Sequence, residues 1–357
     1  MSKYKNFWLT IFSIIFILII LEVVLSFVLP KPYVYKYHSV QYRLWEQGKI
    51  FENINNFFKY RPNLSIRHEA FFDIKDEFLK EYSYEIKTNN FGLVQDNDIF
   101  PNESSVLLLG DSFTEGMGAR AWINFFGGKI NKYQLINGGI FGTGPQQFEL
   151  LENHIDKIYD IEKVVILYIG SDIIRDPFNF SKQNLKCFEN YELCKGPENF
   201  YGFPLLEEDP IPFLRKLKKY RVNQLNEFSW KKIRRKIRSS ITNLNIVRMP
   251  TEFLKYKFYK SKNEKISKNF NSIRNLVEKY KSDIIFIQIQ TLDEIYNNRK
   301  NYNSVYAEKF ITNLTDKHFY CGFEDDASNF YTYDGHPNEA GYKKLYKCVY
   351  KILNKNL

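Results

Sequence analysis

A serine, an aspartate and a histidine in this chain have the types and the order that nucleophilic acyl chemistry requires. The serine is Ser112, within Val106-Leu107-Leu108-Leu109-Gly110-Asp111-Ser112-Phe113-Thr114-Glu115-Gly116. The other two belong to Tyr333-Asp334-Gly335-His336-Pro337-Asn338-Glu339-Ala340-Gly341-Tyr342. Such chemistry needs a hydroxyl, a base to take its proton, and a carboxylate to orient the base. It also needs donors aimed at the developing oxyanion. Ser112, His336 and Asp334 can supply the first three. Taken alone, Gly-Asp-Ser also reads as a plain turn, and Asp-Gly before Pro-Asn reads as a turn with a helix cap. It is the two segments together, in the order Ser…Asp…His, that favour the chemical reading.

The elements that must position these groups follow from hydrophobic patterning. Four apolar residues stopped by Gly-Asp-Ser predict a buried central strand at Val106–Gly110, running into a tight turn. Tyr133–Asn137 reads as a second strand. Lys163–Gly170 and Asp283–Gln290 are almost continuously apolar, the pattern of strands buried on both faces. A short fifth strand is expected near Lys317–Cys321. Helix-length sequence separates them, including Gln146–Tyr159 and Phe270–Lys281, and Ala340–Leu353 closes the chain as an amphipathic helix. Phe113–Ile130 has helical content, with Gly116, Gly118, Gly127 and Gly128 weakening its ends. This alternation predicts a three-layer α/β/α sandwich around a parallel sheet with right-handed crossovers. A hydroxyl at the end of the first strand then faces the crevice where open α/β sheets bind ligands.

Two further segments complete a resemblance. With Asn137-Gly138-Gly139-Ile140-Phe141-Gly142-Thr143-Gly144 and Ile169-Gly170-Ser171-Asp172, the chain resembles the SGNH/GDSL hydrolase superfamily, in particular its single-pass, membrane-anchored bacterial members. The resemblance implies an SGNH/flavodoxin-like sheet and ester hydrolysis without metal or cofactor. It maps the nucleophile to Ser112, the base to His336 and the carboxylate to Asp334. It takes oxyanion donors from the backbone N–H groups of Ser112 and Gly142. The glycine-rich loop is also what a positive φ requires, and the two readings are compatible.

Two departures from the family pattern stand out. The third block usually carries an asparagine whose amide donates to the oxyanion, and here Ser171 stands in that place. The common Asp-x-x-His spacing is Asp334-x-His336 here. A serine hydroxyl donates one hydrogen bond but is shorter by about one heavy-atom bond, and losing one oxyanion donor costs about 10²–10³ in rate. Ser171 donates through a closer backbone, another side chain substitutes, or the domain is slow or inactive. Asn89-Asn90-Phe91-Gly92-Leu93 resembles a lead-in of the anchored members, where an arginine often follows; Val94 occupies that place, and a β-turn explains the segment almost as well.

Composition bounds the rest. The 357 residues suffice for one large domain with insertions and a sizeable core, and the balance of apolar and charged residues is globular. Cys187, Cys194, Cys321 and Cys348 form no Cys-x-x-Cys, and the five histidines have no zinc-ligand spacing, so no metal site is expected. Cys187 and Cys194 share one loop, as a disulfide or as free thiols according to compartment. Phe7 to Leu29 carries no charge except Glu22. At about 1.5 Å per residue it spans a hydrocarbon core of about 30 Å. It is longer than a usual signal-peptide core, and Leu25–Pro30 offers no small-x-small cleavage site, so an uncleaved anchor is expected. Lys3 and Lys5 precede it while Lys31 and Lys36 follow, which leaves orientation nearly unbiased. The short tail at 1–6 is more easily kept inside, placing the C-terminal domain outside the cytoplasm. The expected organisation is therefore a tail at 1–6, an anchor at 7–29, an approach segment at 30–99, and a hydrolase-like domain at 100–357.

An insertion at about 176–269 interrupts that domain. Phe213–Phe270 holds 18 Lys and Arg against Glu227, Glu252 and Glu264, a surplus of +15 in a chain of net +10, so the remainder is acidic. Ile233, Ile237, Ile241 and Leu244 recur at helical spacing among basic residues. Such a helix packs on its parent domain, or lies on an anionic lipid or an acidic polysaccharide; nucleic acid is not an expected partner. The expected substrate is an acylated glycan or lipid of the envelope. Transfer of the acyl group to a sugar hydroxyl, and a non-catalytic glycan- or membrane-binding module, are the rival readings.

Overall fold

Val106, Leu107, Leu108 and Leu109 are fully buried, and the strand they form is the hinge of a six-stranded sheet. The computed structural model describes residues 2–28, 40–54, 57–74, 77–177, 205–226 and 264–357. In chain order the strands are β1 (Val40–Trp45), β2 (Phe51–Ile54), β3 (Phe57–Tyr60), β4 (Ser65–Ile74), β5 (Glu77–Lys87), β6 (Ser105–Gly110), β7 (Lys129–Ile130), β8 (Tyr133–Gly139), β9 (Ile161–Tyr168), β10 (Ile284–Ile289) and β11 (His318–Cys321). The helices are α1 (Ser2–Val28), α2 (Ser112–Glu115), α3 (Pro145–Ile155), α4 (Pro210–Asn226), α5 (Glu264–Tyr280), α6 (Leu292–Asn297), α7 (Tyr302–Thr312) and α8 (Glu339–Asn356).

The main sheet has the order β11-β10-β9-β6-β8-β7, parallel throughout except for the short edge strand β7. The five parallel strands therefore run 2-1-3-4-5 in chain order, the flavodoxin-like arrangement, with β6 at the point where the winding reverses. On one face α5 joins α3, where Tyr280 and Lys279 bond Glu152, and α7, where Phe270 stacks on Phe310 at 4.0 Å. On the other, α8 meets the 3-10 turn Trp122–Phe126 through Tyr346 and Phe126, 4.9 Å apart. Three layers result, as the alternation of elements predicts.

The segment after Ser112 differs from expectation. Rather than a helix across Phe113–Ile130, α2 makes one turn and stops at Gly116 (φ +94); a turn, the 3-10 segment and β7 follow. Gly116, Gly118, Gly127 and Gly128 all have φ between +66 and +94, outside the helical region, so they divide the segment rather than fray its ends. The exposed carbonyls of the single turn are satisfied from elsewhere: the Trp122 indole N–H donates to Phe113 O and Thr114 O, each at 3.0 Å.

The residues before β6 build a second, antiparallel sheet of order β1-β4-β5. Alternation gives it two different faces. Tyr42, Leu44 and Phe71 form a buried apolar cluster with Leu214 and Leu217 of α4. The other face carries Gln41, Arg43, His68, Tyr82 and Tyr84, brought side by side by the register Arg43↔Ala70, His68↔Tyr84 and Ala70↔Tyr82.

The chain divides into two units, of which one holds these two sheets and the two-stranded β2-β3 sheet, and the other holds α1. Within α1, Phe7–Leu25 has a mean hydropathy of 2.8 and is long and apolar enough to cross a membrane. The basic run at 231–238, with Ile233, Ile237, Ile241 and Leu244, and the pair Cys187 and Cys194 lie outside the described residues. The described disulfide is one that spacing did not suggest: Cys321 at the end of β11 joins Cys348 in α8, with Cα atoms 5.8 Å apart. It ties the edge strand to the closing helix across 27 residues. A loop of that size is worth about 3 kcal/mol. Cys348→Ser should therefore lower the melting temperature of the oxidised protein by several degrees, and reductant should lower the wild type to the same value, as read by thermal unfolding with and without dithiothreitol.

Candidate functional site

Ser112 sits at the first residue of α2, directly after the strand at the switch point. Asp111 caps the turn: its Oδ1 accepts Phe113 N–H at 2.9 Å, and its carbonyl accepts Thr114 and Glu115 N–H at 3.0 and 2.9 Å. The local structure follows from Asp-Ser at a strand end, where a short side chain takes up a free helical N–H. Ser112 is buried, 7% exposed.

His336 reaches the same place from the other end of the chain. Its Nε2 lies 2.8 Å from Ser112 Oγ, and its Nδ1 lies 2.9 Å from Asp334 Oδ2. With the serine hydroxyl donating to Nε2, Nδ1 carries the proton and donates to the carboxylate. The Phe113 ring covers the imidazole, with centroids 5.1 Å apart. The short Asp-x-His spacing is accommodated by a closed turn. Tyr331 N–H donates to His336 O at 2.8 Å, Gly335 N–H donates to Tyr331 O at 3.1 Å, and Asn338 then caps α8.

Asp334 is surrounded by donors from the antiparallel sheet. Gln41 Nε2 donates to Oδ1 at 2.8 Å and the Tyr82 hydroxyl to Oδ2 at 2.6 Å, while the Arg43 guanidinium stands 3.5 Å from Oδ1. Burial alone would raise this carboxyl, but His336, Arg43 and the Tyr82 hydroxyl together hold it well below the usual carboxylate range. Glu81, next along β5, accepts the N–H groups of Tyr333 and Asp334 at 2.7 and 2.9 Å and so fixes the backbone that carries the carboxylate. Burial pushes the Glu81 carboxyl up to about 7, and the nearby Asp334 charge adds to this.

The three sequence-predicted oxyanion donors end three neighbouring strands. Ser112 follows β6, Gly142 follows β8 and Ser171 follows β9. Gly142 has φ +72, as its loop requires. Ser171 starts the 3-10 turn Asp172–Ile174, and its hydroxyl bonds no described residue. These loops are tied together by a buried ion cluster. Arg175 pairs with Asp111 Oδ2 at 3.1 Å and Asp172 Oδ1 at 2.8 Å, and donates to Thr143 O at 3.3 Å. Burial, then the charge of Asp111, pushes the Asp172 carboxyl far above its ordinary value, with Arg175 opposing. On the opposite side Glu115 Oε2 accepts Phe141 N–H at 2.6 Å and Oε1 accepts the Tyr60 hydroxyl at 2.9 Å, fixing the residue before Gly142.

Ser112, Asp334 and His336 are thus brought into one hydrogen-bonded series, and Gly142 and Ser171 to the same sheet edge. Sequence reasoning missed Gln41, Arg43, Glu81, Tyr82, Glu115 and Arg175. Two signals were available: the alternation Tyr82-x-Tyr84-x-Ile86, and the Asp172-x-x-Arg175 spacing just past the third block. A cavity of about 330 Å³ lies elsewhere, lined by Glu85, Lys87, Asp96, Arg120 and Asn124. Its charged groups already pair with one another, Arg120 with Asp96 and Lys87 with Glu85, and it holds none of the residues above.

No family model matches the chain, and no curated protein matches it. Solved structures with a similar fold include a lipase/acylhydrolase from Enterococcus faecalis, at 10% identity over 71% of this chain and 96% of that one, TM-score 0.34. A GDSL-like lipase from Bacteroides thetaiotaomicron VPI-5482 is similar at 14% identity over 74% and 93%, TM-score 0.33. A carbohydrate esterase family 2 enzyme from Corynascus thermopiles is similar at 11% over 88% and 87%, TM-score 0.32. At these identities and TM-scores the likeness carries no argument about chemistry.

The Glu115 carboxyl has a consequence for stability. Burial pushes it up to about 8 from 4.5, against the bonds from Tyr60 and Phe141. The folded protein therefore holds this proton more tightly than the unfolded chain, so the stability it contributes is full below about 4.5 and is lost as pH rises through 8. Wild type should lose melting temperature relative to Glu115→Gln between pH 5 and pH 8. Thermal unfolding of both proteins across that range measures the difference.

Proposed function

We propose that this chain is a membrane-anchored serine ester hydrolase acting on acyl esters of envelope glycans or lipids. The observation that carries the reading is the unbroken series Ser112 Oγ, His336 Nε2, His336 Nδ1 and Asp334 Oδ2, with links of 2.8 and 2.9 Å. In this reading Ser112 Oγ attacks the acyl carbonyl carbon as Nε2 takes its proton. The carbonyl oxygen becomes an oxyanion, received by the N–H groups of Ser112 and Gly142 with the Ser171 hydroxyl. Collapse breaks the ester C–O bond, and the imidazolium returns the proton to the departing alkoxide. Water then adds to the acyl-enzyme with His336 as base, releasing the acid and restoring Ser112. Asp334 stays ionised and steadies the imidazolium, a role its low affinity for protons suits.

Location is supported by two features. The helix at Phe7–Leu25 can cross a bilayer, and a disulfide such as Cys321–Cys348 is typical of domains in oxidising compartments. An acylated glycan or lipid at the outer face of the membrane is the substrate class this combination would meet.

Hydrolysis of a short-chain chromogenic ester by the full-length protein in detergent tests the reading. Ser112→Ala should lower kcat by at least about 10³-fold and abolish labelling by a fluorophosphonate. Ser171→Ala should lower kcat by about 10- to 100-fold and leave KM nearly unchanged, because an oxyanion donor acts in the transition state. Ester turnover indifferent to Ser112→Ala would remove the assignment.

A further inference from the structure

The polar face of the antiparallel sheet has no part in the chemistry just described, yet two of its side chains approach the Asp334 carboxylate more closely than His336 does. Gln41 and Arg43 come from β1 and Tyr82 from β5, and their polar atoms lie 2.8, 3.5 and 2.6 Å from the carboxylate. We propose that Arg43 and Tyr82 are positioning residues that act through Asp334. They fix its carboxylate against His336 Nδ1 and draw charge from it, and so set the pH range over which the imidazole works as a base. The proposal rests on the hydrolase reading for its kinetic half only; the electrostatic half concerns three side chains in contact.

From β4, His68 is fully buried and neither ring nitrogen has a hydrogen-bond partner among the described residues; burial, then Arg43, pushes it down to about 3, so it is neutral and adds no charge. From β5, Tyr82 and Tyr84 are both pushed up, chiefly by burial, and remain neutral; of the two, Tyr82 donates to the carboxylate. From the catalytic loop Tyr331 is raised to about 12, and from α8 Tyr342 is raised well above its ordinary value, both chiefly by burial. Among the described residues Glu81 and Glu115 also face this region, with values of about 7 and 8, and Asp111 Oδ2 lies 3.4 Å from Ser112 Oγ. Arg43 is thus the one fixed cation among the described residues at the Asp334 side chain, and it keeps its proton: burial opposes this, but Asp334 outweighs it. It stands on the side of the carboxylate away from the ring, bonding Oδ1 while His336 takes Oδ2.

The sign of the effect follows. A carboxylate that also receives Tyr82 and Arg43 has less negative charge to offer the ring, and Arg43 itself repels an imidazolium. Removing either donor should therefore favour the protonated ring and move its titration to higher pH. A residue that merely fills space would leave the titration where it is.

Because Glu81 and Glu115 titrate near neutrality, rate alone does not isolate the imidazole. The ring resonance of His336 is followed instead, by NMR of the full-length protein in detergent with labelled histidine, assigned by loss of the signal in His336→Gln. The expected result is an upward displacement of the His336 midpoint by about half a unit or more in Tyr82→Phe and in Arg43→Gln, with Arg43→Lys close to wild type. In parallel, the acid limb of the pH–kcat profile should move the same way in Tyr82→Phe, and kcat should fall by roughly ten- to a hundredfold with KM little changed. Tyr82→Phe deletes one hydroxyl and keeps the ring, so it decides the matter if Arg43→Gln fails to fold. A midpoint unmoved or lowered in folded Tyr82→Phe overturns the proposal, as does an Arg43→Lys protein that behaves like Arg43→Gln. Absence of Ser112-dependent turnover in wild type would instead overturn the hydrolase reading, since the ring titration is measured without substrate.

Discussion

A buried carboxylate cannot be left unanswered, and Asp334 is the group around which this molecule has to be solved. Removing an ionised carboxylate from water costs several kcal/mol unless charge and hydrogen bonds replace the solvent. His336 can supply one bond, because its other nitrogen faces Ser112. The remaining donors come from β1 and β5, while Glu81 accepts the backbone N–H groups of Tyr333 and Asp334 and so holds the loop that carries the carboxylate. The antiparallel sheet is therefore part of the site. Its outer face meets α4 through apolar side chains, and its inner face spends polar side chains on the Asp334 loop.

The opposite flank of Ser112 meets the same constraint differently. Asp111, Asp172 and Glu115 are all within a few residues of the strand ends, and all are nearly inaccessible to solvent. One guanidinium, that of Arg175, serves both aspartates, and the surplus is relieved by pushing Asp172 towards its neutral form. Among the described residues Glu115 has no cation within bonding distance, and it is carried towards neutrality by burial while accepting Tyr60 and Phe141. Each cluster fastens one loop of the sheet edge: Arg175 holds Thr143 and the turn at Ser171, and Glu115 holds Phe141. Ser112 stands between two rigid brackets. That is the preorganisation that fixed dipoles need if they are to act on a charge that appears only briefly.

What was legible in the sequence follows from the range of the signal. Strands β6, β9 and β10 are runs of apolar residues buried on both faces, so composition alone marks them. Ser112 and His336 sit beside glycines and caps whose local chemistry is written within a few residues. The misread element is the segment after Ser112, where apolar spacing suggests a long helix and four left-handed glycines cut it to one turn. Cys321 and Cys348 are separated by a turn, a loop and the first half of α8, so nothing local announces their pairing. Arg43 and Tyr82 were illegible for the same reason: their partner is more than 250 residues away in the chain for one and nearly 300 for the other.

The spacing Asp334-x-His336 shows how a local departure is absorbed by a distant element. With one residue between them, the two side chains are held in a turn closed by Tyr331 and Gly335, and the carboxylate is presented from below the ring by a backbone pinned to Glu81. Glu81 titrates near neutrality, so this pin is itself sensitive to pH. An ionised Glu81 accepts both N–H groups, while a protonated one has an O–H that must find an acceptor of its own. The tightness of the loop, and with it the alignment of Asp334 to Nδ1, is coupled to the same range of pH in which the imidazole must act. A site assembled from two sheets acquires in this way a dependence on the second sheet that no motif within the first one would reveal.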